Sequence, residues 1–324
     1  MTVQLEDELL AGALDLHAHG YPEFTLRRRT RVTNHEWAQA ATAAGMRGFV
    51  IKSHFFPTTA AAVTLQELHP DLEIFGSITL NPPVGGINAT SVEMAAQMGA
   101  RIAWFPTWSA KQVPPKHSIT LARMEPYLTT LAAERAQRED ALSVVDADGA
   151  LTAEARAVVE VCAAYGVTVA SGHLPAEHSL VLAEAARRAG ARFILTHPCS
   201  GSVAATIEHQ QRIAELGGYI EHVFIGCMPM HQRTDPRVIA EAIRAVGPER
   251  CIMSSDAGEA WNPPAPEVLR MFIASMLDLG VDADDIHRMT HDNPALALGL
   301  DTAPRRTALP AEGDQRGEDL HARP

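Results

Sequence analysis

The feature that most limits how this chain can fold is a repeated alternation of short apolar runs with segments of helical periodicity. Apolar runs without a polar face are typical of parallel strands, which need a helical crossover between neighbours. Eight such units favour an α/β fold of the (β/α)8 TIM barrel type. An open doubly wound sheet is the main alternative, but the glycine-rich phosphate turn expected after its first strand is missing. The runs cover residues 12–19, 47–54, 73–81, 100–107, 166–173, 191–197, 218–222 and 250–256.

Three segments define the predicted domain organisation. We predict one barrel domain over residues 1–301, with an insertion after the fourth strand at about 108–151. Within the insertion, an Asp-x-Asp-Gly turn at 146–149 between two short apolar segments predicts a small hairpin. Residues 302–324 are polar, rich in Pro, Gly and Arg, and without periodicity, so we predict a disordered C-terminal tail.

Composition argues against several classes of partner. The 324 residues carry a formal net charge of −12 and only one short basic run, Arg27–Arg29, which disfavours nucleic acid. No apolar stretch approaches the length of a membrane span, and residues 1–8 show no signal peptide. The four cysteines are widely spaced, which indicates a reducing compartment. We therefore expect a cytoplasmic protein that acts on a small molecule, has no nucleic-acid or membrane partner, and can form a homo-oligomer.

Polar side chains stand at the carboxyl end of nearly every predicted strand. In the first run His17 and His19 alternate with Leu16 and Ala18, so both imidazoles point to one face of the strand. The carboxyl ends of barrel strands meet on one side of the fold, where the catalytic residues of such enzymes lie. The residues at these ends are His17, His19, Lys52, His54, Asn81, Thr107, His173, His197, Glu221, His222 and Asp256. Together they predict a site for metal binding and proton transfer.

This set of residues resembles the amidohydrolase superfamily of metal-dependent (β/α)8 hydrolases. The resemblance covers residues 12–300 and is specific for the superfamily but not for any subfamily within it. The matching segments are Asp15-Leu16-His17-Ala18-His19 on the first strand, His173 on the fifth, His197 on the sixth, Ser254-Ser255-Asp256 on the eighth, and the segment 290–300 after the barrel.

The resemblance implies a role for each matching residue. His17, His19 and His173 would be imidazole ligands of a divalent metal, and Asp256 its carboxylate ligand. Asp256 would also take the proton from the metal-activated water and pass it to the leaving group. His197 would either hydrogen-bond the substrate oxygen or bind a second metal ion. Zinc is the ion expected for these donors, with manganese or iron as alternatives. The catalytic candidates are Asp256, His197 and Lys52.

One departure from the superfamily pattern concerns the fourth strand. Many binuclear members carry a carboxylated lysine or a glutamate at its end, bridging two metals. Here the strand ends in Trp104-Phe105-Pro106-Thr107, with no such residue in register. One ion is therefore favoured over two, and two ions bridged by Lys52 or Glu221 are the alternative.

Five residues are candidates for binding the substrate. Lys52 follows an apolar run and should point into the site, where it can neutralise a carboxylate or polarise a carbonyl, or else form a simple ion pair. His54, Asn81 and Glu221 either contact the substrate or form hydrogen bonds that support the site and its loops. Trp108 either covers the ligand or packs within the insertion.

The resulting functional hypothesis is a metal-dependent hydrolase that cleaves an amide, cyclic amide or lactone bond of a small molecule. The first alternative is a metal-dependent, non-oxidative decarboxylase of a small unsaturated or aromatic acid. The second is a barrel that binds a small molecule without turnover.

His222, next to Glu221, is expected on the opposite face of its strand, packed outside the barrel.

Overall fold

Eight parallel strands follow one another around a barrel in chain order, in a computed structural model that describes residues 4–23, 26, 29–112 and 141–302. The predicted (β/α)8 barrel is confirmed. The strands are β1 (Leu14–Ala18), β2 (Gly48–Ile51), β3 (Glu73–Thr79), β4 (Ala100–Trp104), β5 (Thr168–Ala170), β6 (Phe193–Thr196), β7 (Tyr219–Val223) and β8 (Cys251–Ser254). Several strands are shorter than the apolar runs that predicted them. The last residues of these runs leave the sheet and enter the loops that form the site.

Helices occupy the segment before β1, the crossovers between the strands and the segment after β8. They are α1 (Leu5–Leu10), α2 (Asn34–Ala43), α3 (Thr59–Leu68), α4 (Ala89–Gln97), α5 (Ala153–Tyr165), α6 (Ala176–Ala189), α7 (Ile207–Glu215), α8 (Pro236–Val246), α9 (Ala265–Asp278), α10 (Ala283–His287) and α11 (Asn293–Ala297). Among the helices described, none combines the length and the apolar composition that a membrane crossing requires.

Local capping chemistry determines where several helices begin. At α2 the Thr33 hydroxyl accepts the Glu36 backbone N–H, and the Glu36 carboxylate accepts the Thr33 N–H, so two terminal donors are satisfied reciprocally. Thr152 caps α5 through its hydroxyl, and the Asp235 carboxylate caps α8. These caps fix the entry of each helix onto the barrel.

The barrel closes between β1 and β8 at the end where the site lies. Ala18 pairs with Ala257 in a parallel bridge. The Asp256 N–H donates to the His17 carbonyl at 2.8 Å, and the His19 N–H donates to the Ala257 carbonyl at 3.0 Å. The backbones of three predicted site residues therefore form the closing seam itself.

Two apolar layers hold the barrel together. The larger layer lies between the strands and the surrounding helices. The smaller one fills the barrel interior, where Trp104 lies with strand residues and with the segment that follows α10. Its buried members are Leu14, Leu16, Val50, Ile102, Trp104, Ala170, Ile194, Ile252, Ala295, Ala297, Leu298 and Leu300. The C-terminal helical segment thus contributes to the barrel interior, and the polar site lies at the carboxyl ends of the strands.

The insertion predicted after β4 is described only in part. Val145 and Leu151 form an antiparallel bridge, and the Asp146 carboxylate accepts two backbone N–H groups at 3.0 Å within the turn, as a small hairpin requires. The part of the insertion at 113–140 lies outside the described residues. The predicted disordered tail also lies outside them from residue 303 onward.

Candidate metal centre

Asp256 is the side chain on which three predicted metal ligands converge. Its Oδ1 atom lies 2.9 Å from Nε2 of His17 and 3.2 Å from Nε2 of His19. Its Oδ2 atom lies 3.5 Å from Nε2 of His197. The three histidines are buried, and the Asp256 side chain is 14% exposed. The structure therefore brings four of the five predicted ligands to one point at the carboxyl end of the barrel.

His173, the fifth predicted ligand, lies beside this group. Its ring centroid is 4.9 Å from that of His197, and its Nδ1 has no hydrogen-bond partner among the described residues. Ligand atoms of His17, His197 and Asp256 lie within 4.8 Å of one another, and those of His19, Glu23 and His54 form a second group of the same kind; His173 is in neither group. The backbone N–H of His173 donates to the Pro106 carbonyl at 3.0 Å, which ties the residue to the end of β4.

A buried glutamate stands behind His17 of β1 and another behind His19, which follows that strand. Glu221 Oε2 lies 3.4 Å from Nδ1 of His17, and Glu23 Oε1 lies 3.5 Å from Nδ1 of His19. A carboxylate at Nδ1 favours the tautomer that carries its proton there and leaves the Nε2 lone pair for a metal. Both Nε2 atoms face Asp256. Glu221, a predicted substrate-binding residue, is therefore placed to orient His17.

Glu23 is the site residue that sequence reasoning missed. Its Oε1 accepts the backbone N–H of His54 at 2.8 Å and lies 2.7 Å from the His54 Nδ1. The rings of His19 and His54 stack at 4.8 Å. The one sequence signal available was a carboxylate four residues after His19. Glu23 thus holds the loop after β1 against the end of β2.

Asp15 joins the first and last strands beneath the site. Its Oδ1 accepts the backbone N–H of His17 at 3.0 Å and that of Ser255 at 3.2 Å. Burial raises the pKa of Asp15 to about 6, against the opposing effect of these hydrogen bonds. Asp15 therefore fixes the strand that carries His17 to the strand that leads to Asp256.

The electrostatics of the cluster suit a divalent cation. Burial would raise the pKa of Asp256, but His17 and His197 hold it well below its usual range. Burial alone would lower the pKa of His19. The contacts with Asp256 and Glu23 have the larger effect and raise that pKa to about 9. Imidazole nitrogens backed by carboxylates, with one further carboxylate, form a donor set typical of zinc sites. The residues present fit a metal ion.

Lys52 and Trp104 form the floor of the centre. Lys52 Nζ lies 2.9 Å from Nε2 of His17 and 4.7 Å from the centroid of the Trp104 ring. The ring of Trp104 is also 4.7 Å from that of His17. Burial lowers the pKa of Lys52. Trp104 therefore occupies the end of β4. The amine beside His17 is that of Lys52, the residue after β2.

Two site residues adopt a backbone conformation that side chains disfavour. His197 has φ 55° and Asp256 has φ 53°, in the left-handed region. This conformation costs on the order of 1–2 kcal/mol for a residue with a Cβ. Strain of this kind concentrates at functional sites, where the surrounding structure imposes it. At Asp256 the hydrogen bond from its N–H to the His17 carbonyl helps to impose it.

A cavity of about 140 Å³ opens above the cluster. A cavity of about 150 Å³ holds a molecule such as benzene, so this space suits a ring-sized compound. The predicted substrate residues Lys52 and His54 line it, whereas Asn81, Trp108 and Glu221 are not among its lining residues. Most of its remaining lining residues lie in the loops after β6, β7 and β8, and others come from the loops after β1 and β5, from β7 and from α8.

Asn81 and Trp108 support the loops around the cavity. The Asn81 amide donates to the His54 carbonyl at 3.1 Å and to the Thr107 Oγ1 at 2.7 Å, and it accepts the Thr107 N–H at 3.0 Å. Trp108 is buried and stacks on Phe55 at a centroid distance of 6.0 Å. These contacts join the loops that follow β2, β3 and β4.

His222 differs in part from its predicted environment. Glu221 faces the barrel interior, and His222 is on the opposite face of β7, as expected. It is nevertheless one of the residues that line the cavity. Burial lowers the pKa of His222 to about 4.

Replacing Glu23 with glutamine is expected to weaken metal binding about 10–100-fold, the usual effect of losing a carboxylate behind a histidine ligand. Competition with a chromogenic chelator measures this affinity. Glu177→Gln is the matched control, because Glu177 pairs with His209 at the surface, at 2.9 Å. Equal metal affinities of wild type and Glu23→Gln would contradict the supporting role of Glu23 behind His19.

Replacing His222 with phenylalanine is expected to make the fold more resistant to acid. The folded state keeps His222 neutral to about pH 4, whereas an unfolded histidine gains its proton near pH 6.5. Protonation of His222 therefore does not affect the free energy of unfolding above pH 6.5. As the pH drops to 4, it lowers that free energy by about 3 kcal/mol. Urea unfolding at pH 7 and pH 4.5 should show a smaller loss in the variant. An equal loss in both proteins contradicts the prediction.

Solved structures share this fold at low sequence identity. An amidohydrolase from Pseudomonas aeruginosa is 10% identical, with 90% of this chain and 98% of that one covered and a TM-score of 0.56. A probable dipeptidase from the same organism is 14% identical, with 91% and 96% covered and a TM-score of 0.58. A putative 2-pyrone-4,6-dicarboxylic acid hydrolase from Pseudomonas putida is 14% identical, with 89% and 97% covered and a TM-score of 0.51. At these identities the structures show that the chain shares its fold with an amidohydrolase, a probable dipeptidase and a putative hydrolase.

Sequence comparison places the chain more narrowly. No curated protein matches it. The model of a family of unknown function, DUF6282, matches residues 12–221, which is more than half of the 324 residues and includes His17, His19, His173 and His197. The chain belongs to the DUF6282 family.

Proposed function

We propose that this protein is a metal-dependent hydrolase of small molecules. The observation that carries the proposal is the convergence of His17, His19 and His197 on Asp256, with one glutamate behind His17 and one behind His19. In this proposal His17, His19, His173 and Asp256 hold one divalent ion, and His197, beside Asp256, contacts the substrate. A divalent ion bound there would supply Lewis acidity and lower the pKa of water to about 7.

Asp256 is the proposed proton carrier of the reaction. Because its pKa lies well below the usual range, its carboxylate is ionised at neutral pH and can accept the proton of the attacking water. The same group then gives that proton to the leaving nitrogen or oxygen. The neighbouring imidazoles hold the carboxylate in place for both transfers.

Lys52 and His197 are the proposed contacts to the substrate. Both residues line the cavity. The Lys52 amine can bind a substrate carboxylate or polarise the carbonyl that is attacked, and it is held between His17 and the Trp104 ring. His197 can donate a hydrogen bond to the oxygen on which charge develops.

The bond proposed for cleavage is an amide, a cyclic amide or a lactone. Metal-assisted attack of water on a carbonyl serves all three, and the small cavity suits a single ring. The similar structures support this choice, because they are those of an amidohydrolase, a probable dipeptidase and a putative 2-pyrone-4,6-dicarboxylic acid hydrolase. Zinc is the proposed ion, and the proposed setting is the cytoplasm, with a small molecule as the partner.

Elemental analysis of the purified protein is the first test. About one equivalent of zinc or another transition metal is expected from a single four-ligand site, and it should be lost in His17→Ala but retained in His209→Ala, a histidine at the surface. About two equivalents would instead indicate two ions bridged by Lys52 or Glu221. A metal-free protein, even after supplementation during expression, overturns the proposal.

The reaction is tested on the metal-loaded protein with a panel of lactones and cyclic amides in ¹⁸O-labelled water. A hydrolase should place one labelled oxygen in the ring-opened acid. Release of CO2 from a carboxylic acid of the same size, without incorporation of the label, would favour a decarboxylase. If metal-replete protein forms neither product, the proposed hydrolysis is overturned. A barrel that binds a small molecule without turnover then remains.

A further inference from the structure

The loop at 226–234, between β7 and α8, forms one wall of the cavity. Its two ends are joined, because the Thr234 backbone N–H donates to the Gly226 carbonyl at 3.0 Å. Compact surface loops with neighbouring ends of this kind are Ω-loops, which frequently have a functional role. Gly226, His231, Gln232 and Thr234 all line the cavity. The loop is therefore placed to control access to the site.

Residues 229–233, the flap, form the tip of this loop. Four of these five residues are exposed, whereas His231 turns inward, with a side chain that is 11% exposed. The His231 backbone N–H donates to the Met228 carbonyl at 3.0 Å, within the same loop. Arg233 has φ 56°, in the left-handed region that a residue with a Cβ disfavours. An exposed segment with a strained residue opens at a lower free energy than the fold as a whole.

Two side-chain contacts join the flap to the loops on either side of it. On one side the Gln232 Oε1 accepts the backbone N–H of Gly201, in the loop after β6, at 2.9 Å. On the other side the His231 Nε2 lies 3.0 Å from the Glu259 Oε1, in the loop after β8. Contacts of this kind at partly exposed positions contribute little free energy. They can therefore hold the flap against its neighbours and still release it.

The loop after β8 holds its side of the second contact in place. The Glu259 Oε2 accepts a hydrogen bond from the Asn262 Nδ2 at 3.0 Å, and the Gly258 carbonyl accepts the Arg31 backbone N–H at 2.7 Å. Release of the contact therefore moves the flap away from a fixed carboxylate. Within the cavity the Asp256 side chain is 14% exposed, so a ring-sized molecule needs a wider entrance to reach it.

We propose that the flap is a gate, which opens by releasing Gly201 and Glu259, admits a small molecule to the cavity and closes over it. The proposal rests on the proposed function only in taking the cavity as the substrate site. Closure of such a segment shields a bound molecule from bulk water. Weakening either contact should increase the open fraction of the protein.

Hydrogen exchange of the full-length protein, followed by mass spectrometry of peptides that cover 226–234, measures the opening. Glu259→Gln removes the carboxylate charge, and Gln232→Ala removes the acceptor for the Gly201 N–H. Each is expected to speed exchange in the loop about two- to fivefold, the effect of losing one partly exposed contact, and to leave β7 and α8 unchanged. Glu177→Gln breaks a carboxylate–imidazole pair at the surface and should keep the wild-type rate. Wild-type exchange in both loop variants overturns the proposal.

Alkylation of Cys199 shows whether the opening admits a molecule. Cys199 lines the cavity, in the loop after β6, so its thiol reports on access to that space. Iodoacetamide is the probe, and peptide mass mapping gives the rate at this cysteine. Glu259→Gln should raise the rate by the same factor as the exchange of its loop. Faster exchange with a wild-type alkylation rate would show that the loop moves without opening the cavity, which overturns the proposal.

The two proposals fail separately, because neither measurement requires turnover or a bound metal. A protein that shows the gate but hydrolyses nothing refutes the proposed function alone. A hydrolase in which exchange or alkylation does not respond to Glu259→Gln refutes the gate alone.

Discussion

Replacing Asp256 with asparagine is expected to lower kcat about 10²–10⁴-fold, the range that a positioned proton-transfer group contributes. The amide has the shape of the carboxylate but cannot accept the proton of the attacking water. Its oxygen can still face the Nε2 atoms of His17 and His19, which lie 2.9 and 3.2 Å from Oδ1 in the wild type. The comparison is made at saturating zinc, with a substrate found in the lactone and cyclic amide panel.

The matched control for this variant is Asp278→Asn, which removes a carboxylate at the exposed C-terminal end of α9. It should retain wild-type kcat and wild-type metal content. A metal-loaded Asp256→Asn protein with undiminished kcat would refute the role of Asp256 in proton transfer, while leaving open a role as ligand. The two functions of this residue are therefore separated by measuring metal content and rate on the same preparation.

Replacing Gly172 with alanine is expected to destabilise the fold by about 2–5 kcal/mol, from left-handed strain together with overpacking. Gly172 has φ +60°, and a Cβ there would collide with the Phe105 carbonyl and lie 2.8 Å from the Pro106 carbonyl. The Pro106 carbonyl also accepts the backbone N–H of His173. The substitution should therefore displace His173 as well as lower the free energy of unfolding, which urea denaturation measures.

Gly190→Ala separates strain from collision. Gly190 has φ +75° at the end of α6, but no atom lies within 4 Å of a Cβ built there. The Gly190→Ala substitution should lower the free energy of unfolding by only about 1–2 kcal/mol, the strain of a left-handed residue with a Cβ. Equal losses for the two variants would show that the backbone around Gly172 moves aside without cost.

The part of the structure that the sequence predicts is the part encoded by local patterns. Eight apolar runs with intervening helical periodicity are enough to indicate the barrel, because parallel strands and their crossovers leave few arrangements. The His17-x-His19 pair needs only the alternation of side chains along a strand. The histidines that end later runs follow from the rule that barrel strands bring their carboxyl ends together.

The remaining parts of the site depend on contacts between distant segments. Glu23 lies in the loop after β1, and its position behind His19 depends on how that loop returns to His54. The left-handed backbone of His197 and Asp256 leaves no trace in sequence, since only glycine signals such conformations reliably. The place of His222 in the cavity wall depends on how β7 packs with segments distant in sequence.

The seam between β1 and β8 has a consequence for how the protein is made. The hydrogen bond from Ser255 to Asp15 spans 240 residues. At about 5–20 residues per second, His17 and His19 leave the ribosome roughly 12–50 s before Asp256. Throughout that interval the edge of β1 has no β8 partner, and the two histidines lack the carboxylate on which they converge. The proposed metal centre is therefore complete only after β8 has joined β1, so ion binding is expected to be one of the last events of folding.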